Sequence, residues 1–297
     1  PACSVATPST CAMPATAMPH TTKTSTSFAC PKWRIAASTP IAAITANWMP
    51  SERLIPVAAM EGSVSCGSVR VLLTNDDGID SPGIHALARA LGAVADVMVV
   101  APADNQSAVA RGITIRGTLD VEERRVEGAT AAFAVGGTPV DCVRFAEATE
   151  PGPSFDLVVA GANLGLNLGD DVTYSGTVAA AMEGVLLGVP GLAVSQQSST
   201  GELHHTRDGT YTFATAERIV PRLAALLASG ALGRDVLLNV NVPTGEPQGV
   251  RVCRLGRRIW SDQIELVAEE DGRRRFRLYG EDSDYHREPG TDFEALA

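Results

Sequence analysis

The sequence predicts an α/β fold: a doubly wound, mostly parallel β-sheet covered by helices on both faces, followed by a C-terminal β-hairpin extension. Three observations predict it. Short apolar runs alternate with helical patterns from residue 69 to residue 242, which means βαβ crossovers and a parallel sheet. The runs are apolar throughout rather than alternating with polar residues, as expected for strands buried on both faces. After residue 250 the pattern changes to charged, strand-like stretches around a turn at Glu270-Asp271-Gly272.

The elements follow in order. Val69–Thr74 reads as a buried strand, and Ile84–Leu91 repeats apolar residues at helical spacing. Asp96–Ala101 is a second strand. A helix opens at Thr138-Pro139, where proline suits the first turn, and runs to about Ala148. Leu157–Ala160 is a third strand, Gly176–Leu187 a helix and Gly191–Ser195 a strand. Tyr211–Ala228 is a long amphipathic helix and Val236–Val242 a strand. Val250–Leu255 and Arg275–Tyr279 are expected to flank the turn as one long hairpin, an arm over about 250–280. It is either an ordinary edge hairpin or an arm for oligomerisation.

The first 65 residues read differently. They are rich in Ser, Thr, Ala and Pro, show no periodicity, and are expected to be a disordered, low-complexity segment before a domain over 66–297. A transit peptide is one reading; a start site assigned too far upstream, with Met60 as the true start, is the other. These residues carry a net charge of +2, from Lys23, Lys32, Arg34 and Arg53 against Glu52 and Glu61. With a formal charge of -10 for the whole chain, the remainder carries -12. That excludes a broad electrostatic grip on nucleic acid or anionic lipid, so neither is expected as a partner. No lysine follows Lys32, which excludes a Walker-type phosphate loop and a lysine Schiff base. The six cysteines form no CxxC pair, so free thiols in the cytoplasm are expected. No apolar run is long enough to span a membrane.

Polar clusters sit where these strands end, and ligands of open α/β sheets bind beyond the carboxyl ends of strands. The first is Asn75-Asp76-Asp77-Gly78. Two adjacent carboxylates repel each other, and a divalent cation beside them removes that cost. Their hard oxygens favour Mg²⁺, Mn²⁺ or Ca²⁺. The competing reading is one helix-capping Asp and one solvated Asp. The second cluster is Ala101–Ser107, a polar loop after the second strand. The third, over 160–177, contains Gly161, Gly165 and Gly169, which let backbone approach a ligand, and Asn163, which offers an oxygen to a metal. Asn167, Asp170 and Asp171 are either supporting groups or turn formers. The fourth is Ser175-Gly176-Thr177 at a helix mouth, where free N–H groups suit a phosphate or Ser175 simply caps the helix. His204 and His205 fall in a polar loop, either solvated or assisting substrate binding, and His85 on a helix reads as a helix-surface or packing residue. Neither a G-x-S-x-G elbow nor a G-x-G-x-x-G fingerprint is present, which disfavours a serine hydrolase and a dinucleotide enzyme.

In order, the stretches LLTNDDGIDSPGI, VVAPADNQSA, GGTPVDCV, GANLGLNLGDDVTYSGTVAAAMEG, LNVNVP and GTDFEAL resemble the SurE family of nucleoside-monophosphate phosphatases over about residues 69–294. The resemblance implies a Rossmann-like core with a hairpin extension. It implies one divalent metal ion per subunit, Mg²⁺ or Mn²⁺, held by Asp76, Asp77, Ser107 and Asn163. It implies a phosphate pocket using Asn105, Ser175, Gly176 and Thr177, with Asp76 and Asp77 as the catalytic pair. The reaction implied is hydrolysis of nucleoside 5′-monophosphates, with 3′-monophosphates and short polyphosphate as further substrates of the family. Either water or an aspartate attacks. The family forms dimers or tetramers through exchanged C-terminal segments. The alternative class is a nucleotide-binding module with the same fold and no turnover. Two departures stand out: Ala108 replaces a glycine common after the metal-binding serine, and the family usually continues into a further strand after the GTDF segment.

Overall fold

The computed structural model describes the backbone of residues 42–46, and residues 69–149, 155–203, 209–247, 249–260, 264–278 and 284–297. All lie within one unit, Ser38–Ala297. In chain order the elements are β1 (Ala42–Ala46), β2 (Arg70–Thr74), α1 (Pro82–Gly92), β3 (Asp96–Pro102), β4 (Val121–Arg124) and β5 (Ala131–Val135). Then come α2 (Pro139–Thr149), β6 (Leu157–Leu164), α3 (Gly176–Leu186), β7 (Gly191–Gln196), α4 (Ala214–Ala228) and β8 (Leu237–Val242). The chain closes with β9 (Val250–Cys253), β10 (Arg258–Ile259), β11 (Ile264–Glu270), β12 (Arg273–Leu278), β13 (Asp284–Tyr285) and α5 (Asp292–Leu296).

The main sheet has the order β4-β5-β3-β2-β6-β7-β8-β1-β9. From β5 to β1 every pair is parallel; the outermost pairs, β4 with β5 and β1 with β9, are antiparallel. The expected α/β architecture is therefore present. The period of two sends Val71 and Leu73 to one face and Leu72 to the other. One face buries Val71, Leu73, Val97 and Val99 with Ile84, Leu87 and Leu91 of α1 and Ile219 and Leu223 of α4. The opposite face buries Leu72, Val100 and Val158 with Cys142 and Val143 of α2 and Val178 and Ala181 of α3. Cys142 is a free, buried thiol, and Cys253 is buried.

The strand order turns at β2. From it the chain moves outward through β3 to β5, then crosses back and adds β6 on the other side. The crevice beyond β2 and β6 is where a doubly wound sheet binds ligands. Two glycines close the backbone there. A Cβ on Gly83 would lie 2.0 Å from the Ala162 carbonyl, and one on Gly161 (φ +135°) would lie 2.3 Å from that of Val194. α1 and β6, and β6 and β7, thus approach more closely than any side chain permits.

Three parts of the architecture differ from the sequence expectation. Strand β1 comes from within residues 1–65, where the pattern assigned no element, and precedes the expected domain start. The hairpin is Ile264–Glu270 against Arg273–Leu278, joined through Asp271 and Gly272, not a pairing with Val250–Leu255. Val250–Cys253 instead pairs with β1 in the main sheet, and its two end residues are buried. β11 carries three glutamates among its seven residues and is exposed along its whole length, so no buried run marks it. Strands β4 and β5 had no assignment; β4 is fully exposed and Ala-rich β5 has little strand propensity.

Candidate active site

Strand β2 delivers the paired aspartates to the crevice. After Thr74 the chain turns sharply, with the Asn75 side-chain amide donating to the Gly78 carbonyl at 2.8 Å and Gly78 at φ +97°. Asp76 points into the first turn of α3. The Thr177 amide donates to its Oδ2 at 3.1 Å and the Thr177 hydroxyl to its Oδ1. Gly176 permits this approach: a Cβ there would lie 2.8 Å from Asp76 Cβ and 2.9 Å from Oδ2. Asp77 turns toward β6, accepting a hydrogen bond from the Leu164 amide at 3.0 Å.

The remaining predicted residues surround this pair. Asn163, at the end of β6, donates through Nδ2 to Gly165 at 2.9 Å, which turns its Oδ1 to 3.5 Å from the Thr177 hydroxyl. Asn105 and Ser107 lie on the loop after β3, which is tied to the pair by the Gln106 amide donating to the Asp76 carbonyl at 2.7 Å. Asn105 Oδ1 accepts from the Ser107 amide at 2.9 Å, so its Nδ2 protons are available. The Ser107 side chain is exposed and makes no hydrogen bond among the described residues. Ser175 caps α3, accepting from the Val178 amide at 3.1 Å. The structure thus brings Asp76, Asp77, Asn163, Gly176 and Thr177 together, with Ser175 and the Asn105–Ser107 loop beside them. The Thr177 amide is occupied by Asp76, so the helix mouth holds a carboxylate first. His204 and His205 lie outside the described residues. His85 is a packing residue whose Nε2 lies 3.1 Å from the Ile79 carbonyl.

The electrostatics of the pair are strained. Burial raises the Asp76 carboxyl above the usual carboxylate range, against the opposing hydrogen bonds of Thr177 and Gly176. Burial, and then the charge of Asp76, push Asp77 up to about 7. Among the described residues no group of three or more His, Cys, Asp or Glu side chains could hold a metal. Mg²⁺ and Mn²⁺ need only one or two carboxylates with neutral oxygens. Asp76, Asp77, Asn163 and Ser107 could supply such a set, and a cation there would offset both the repulsion and the burial cost.

The protein-family model for "Survival protein SurE" matches residues 71–262. The chain belongs to the SurE family. "5'-nucleotidase SurE" of Rubrobacter xylanophilus is 47% identical over 234 residues, covering 77% of this chain and 87% of that protein. The protein of the same name from Chloroflexus aggregans is 41% identical over 230 residues, covering 76% and 88%. Among solved structures, "Crystal Structure of Sure Protein from Aquifex aeolicus" matches with a TM-score of 0.60 and 31% identity, over 76% of this chain and 88% of that one.

The chain braces its site through residues that the sequence pattern did not single out. Glu183 of α3 is fully buried and pairs with Arg111, on the loop that continues from Ser107, and with Arg144 of α2 at 2.6 Å. Asp141 fixes the same loop, accepting from the Thr114 amide at 2.8 Å and from the Thr114 hydroxyl at 2.7 Å. Asn167 and Asp171, left open as supporting groups or turn formers, are anchors. Asn167 donates to Ser195 at 2.8 Å, and its carbonyl accepts from Asn239 and Asn241 at 2.9 and 3.0 Å. Asp171 forms a bidentate pair with Arg258, whose amide reaches Asp170 at 3.2 Å. Asp292, in the closing segment, accepts from the Gly169 and Gly256 amides, both at 2.7 Å. Tyr211 lies near Asp77: burial raises its phenol, and the charges of Asp77 and Glu202 add to that. None of these contacts has a local sequence signal, because each joins residues distant in the chain.

Proposed function

We propose that the chain is a divalent-metal-dependent phosphomonoesterase that hydrolyses nucleoside 5′-monophosphates to nucleoside and phosphate. One observation carries this reading: two adjacent aspartates at the switch point of the sheet, the buried one gripped by the helix mouth and the half-buried one pushed up to about 7. The names of the relatives, "5'-nucleotidase SurE", support the substrate class.

Asp76, Asp77, Asn163 and Ser107 would hold one Mg²⁺ or Mn²⁺, which supplies charge neutralisation at the phosphoryl oxygens. The chain's own residues do the rest. Thr177 fixes the orientation of Asp76, and Leu164 that of Asp77, before substrate arrives. The Asn105 amide and the Ser175 hydroxyl, whose oxygen already accepts from Val178, donate to the phosphate, with Gly176 leaving room for its approach. Water attacks phosphorus, the P–O5′ bond breaks, and the aspartate pair takes the proton from the attacking water. The pair then passes that proton to the 5′ oxygen, and the nucleoside leaves as the alcohol. The same reading extends the substrates to 3′-monophosphates and short polyphosphate. It keeps the cytoplasm as the compartment; no helix of the described residues is long and apolar enough to cross a membrane. It also takes β11–β12 as the arm that pairs copies into a dimer or tetramer, because Ile264, Leu266, Phe276 and Leu278 are exposed there.

The test is phosphate release from a panel of 5′- and 3′-monophosphates by the full chain and by Asp76→Ala and Asp77→Ala. The full chain should release phosphate from 5′-monophosphates, and both variants should be inactive. Near-normal turnover in either variant would remove the assignment.

A further inference from the structure

The loop that carries Asn105 and Ser107 has no anchor of its own. Residues 103–120 contain no helix, no strand and no buried residue. Ala108 and Ala110 stand at φ +63° and +52°, left-handed conformations that alanine holds only where its surroundings impose them. Ties to the rest of the fold therefore set the course of the loop. Before Ser107, the Gln106 amide donates to the Asp76 carbonyl at 2.7 Å. After it, the Ala110 amide donates to the Tyr174 carbonyl at 3.2 Å. The next residue, Arg111, adds a tie made by charge: its Nη2 donates to Oε2 of Glu183.

Glu183 is wholly buried. It lies on α3 six residues after Thr177, about 9 Å further along the helix axis. A carboxylate removed from water needs a cation, and two arginines answer it. Their side chains are similarly exposed, 43% for Arg111 and 48% for Arg144. They differ in alignment and in place. Arg144 of α2 brings Nη2 to 2.6 Å from Oε1, yet that oxygen accepts no aligned hydrogen bond, whereas Oε2 accepts one from Arg111. Aligned, charge-assisted contacts are the stronger ones. Arg111 also sits on the loop of Ser107, and α3 is the helix whose first turn grips Asp76. The pair thus ties Ser107 to the element that fixes the first aspartate.

We propose that Arg111 is a positioning residue: its pairing with Glu183 holds Ser107 where its oxygen completes the ligand set of the divalent cation, and so sets the affinity for that cation. This rests on the phosphomonoesterase reading, in which Asp76, Asp77, Asn163 and Ser107 hold the cation. Arg111 acts through the loop and not by contact with the cation. Removing groups that orient metal ligands from behind weakens affinity by about 10- to 100-fold.

The experiment is a calorimetric titration of the full chain with Mn²⁺ alone, repeated for Arg111→Met, Arg111→Lys and Arg144→Met, with urea unfolding of each. Arg111→Met should weaken Mn²⁺ binding by about 10- to 100-fold. Arg111→Lys, which keeps a cation for Glu183 without the planar fork, should recover part of that loss. Arg144→Met strips the other cation from the same carboxylate and should change Mn²⁺ affinity less than about twofold, although it loses stability as Arg111→Met does. Unchanged affinity in Arg111→Met would overturn the proposal. So would equal losses in Arg111→Met and Arg144→Met, which would make Glu183 a stability element only. If Arg111→Met does not fold, Arg111→Lys against Arg144→Lys carries the comparison: weaker binding in the first alone supports the proposal, and equal binding overturns it. No Mn²⁺ binding by the unaltered chain would remove the cation site itself, and the proposal with it.

Discussion

Replacing Asp77 by Asn should make the metal-free protein more stable, although it removes a residue of the site. The Asp77 carboxyl moves from an ordinary 3.8 to about 7, first through burial and then through the charge of Asp76. Each pKa unit corresponds to 1.36 kcal/mol, so ionised Asp77 costs the metal-free fold about 4 kcal/mol. The sign follows from where the proton sits. The folded-state value is the higher one, so the fold holds its proton longer than the unfolded chain. Stability therefore falls as pH rises from about 4 to about 7, and the penalty is complete above that. Asn keeps an oxygen to accept from the Leu164 amide. In chelator the advantage of Asp77→Asn should thus be small near pH 4 and reach about 2–4 kcal/mol at pH 8, as measured by urea unfolding. With Mn²⁺ at a hundred times its Kd the wild type should regain about 2.7 kcal/mol that the variant does not. An Asp77→Asn protein less stable than wild type in chelator at pH 8 would refute the reasoning. So would an advantage that does not change with pH.

Further outcomes follow from the same geometry. Gly176→Ala places a methyl 2.8 Å from Asp76 Cβ and should reduce kcat by about 100-fold through displacement of the carboxylate, with circular dichroism unchanged; full activity would contradict the packing. Ala108 sits at φ +63°, a left-handed conformation, so Ala108→Gly should gain about 0.5–1 kcal/mol in denaturant melts without loss of turnover, and a clear loss of stability would count against that strain. Asp292→Asn puts an amide against one of two buried N–H donors, Gly169 or Gly256, and should cost about 2–3 kcal/mol; an unchanged midpoint would show that the clamp contributes nothing.

Much of this molecule was legible in the sequence because its buried strands and helices carry their own signal. Leu72 and Leu73, or Leu157 to Ala160, are apolar on both faces and bounded by polar turns, which marks parallel strands. The site was legible for a related reason: a doubly wound sheet gathers strand ends, so Asp76, Asp77 and Asn163 meet although Asn163 lies far along the chain. What the sequence hid are features decided by partners. Strand β1, Ala42–Ala46, gains its place by lying between β8 and β9, and its alanines carry little strand preference. It precedes Met60, so a chain begun at that methionine lacks it. The hairpin was read with the wrong first strand because the exposed residues Ile264 to Glu270 show no buried run, while buried Val250 and Cys253 do. Glu183 and Asp292 resemble ordinary surface carboxylates in sequence; only the arginines and amides that reach them from elsewhere in the chain reveal them as buried braces.

The most direct measurement is the rate of phosphate release from AMP by the full chain at pH 7–8, in Mn²⁺, in Mg²⁺ and in excess chelator. The account predicts release that disappears with chelator and returns when the cation is restored. Release that proceeds equally well in chelator would contradict the role given to the aspartate pair, and none from a folded, cation-supplied protein would contradict hydrolysis itself.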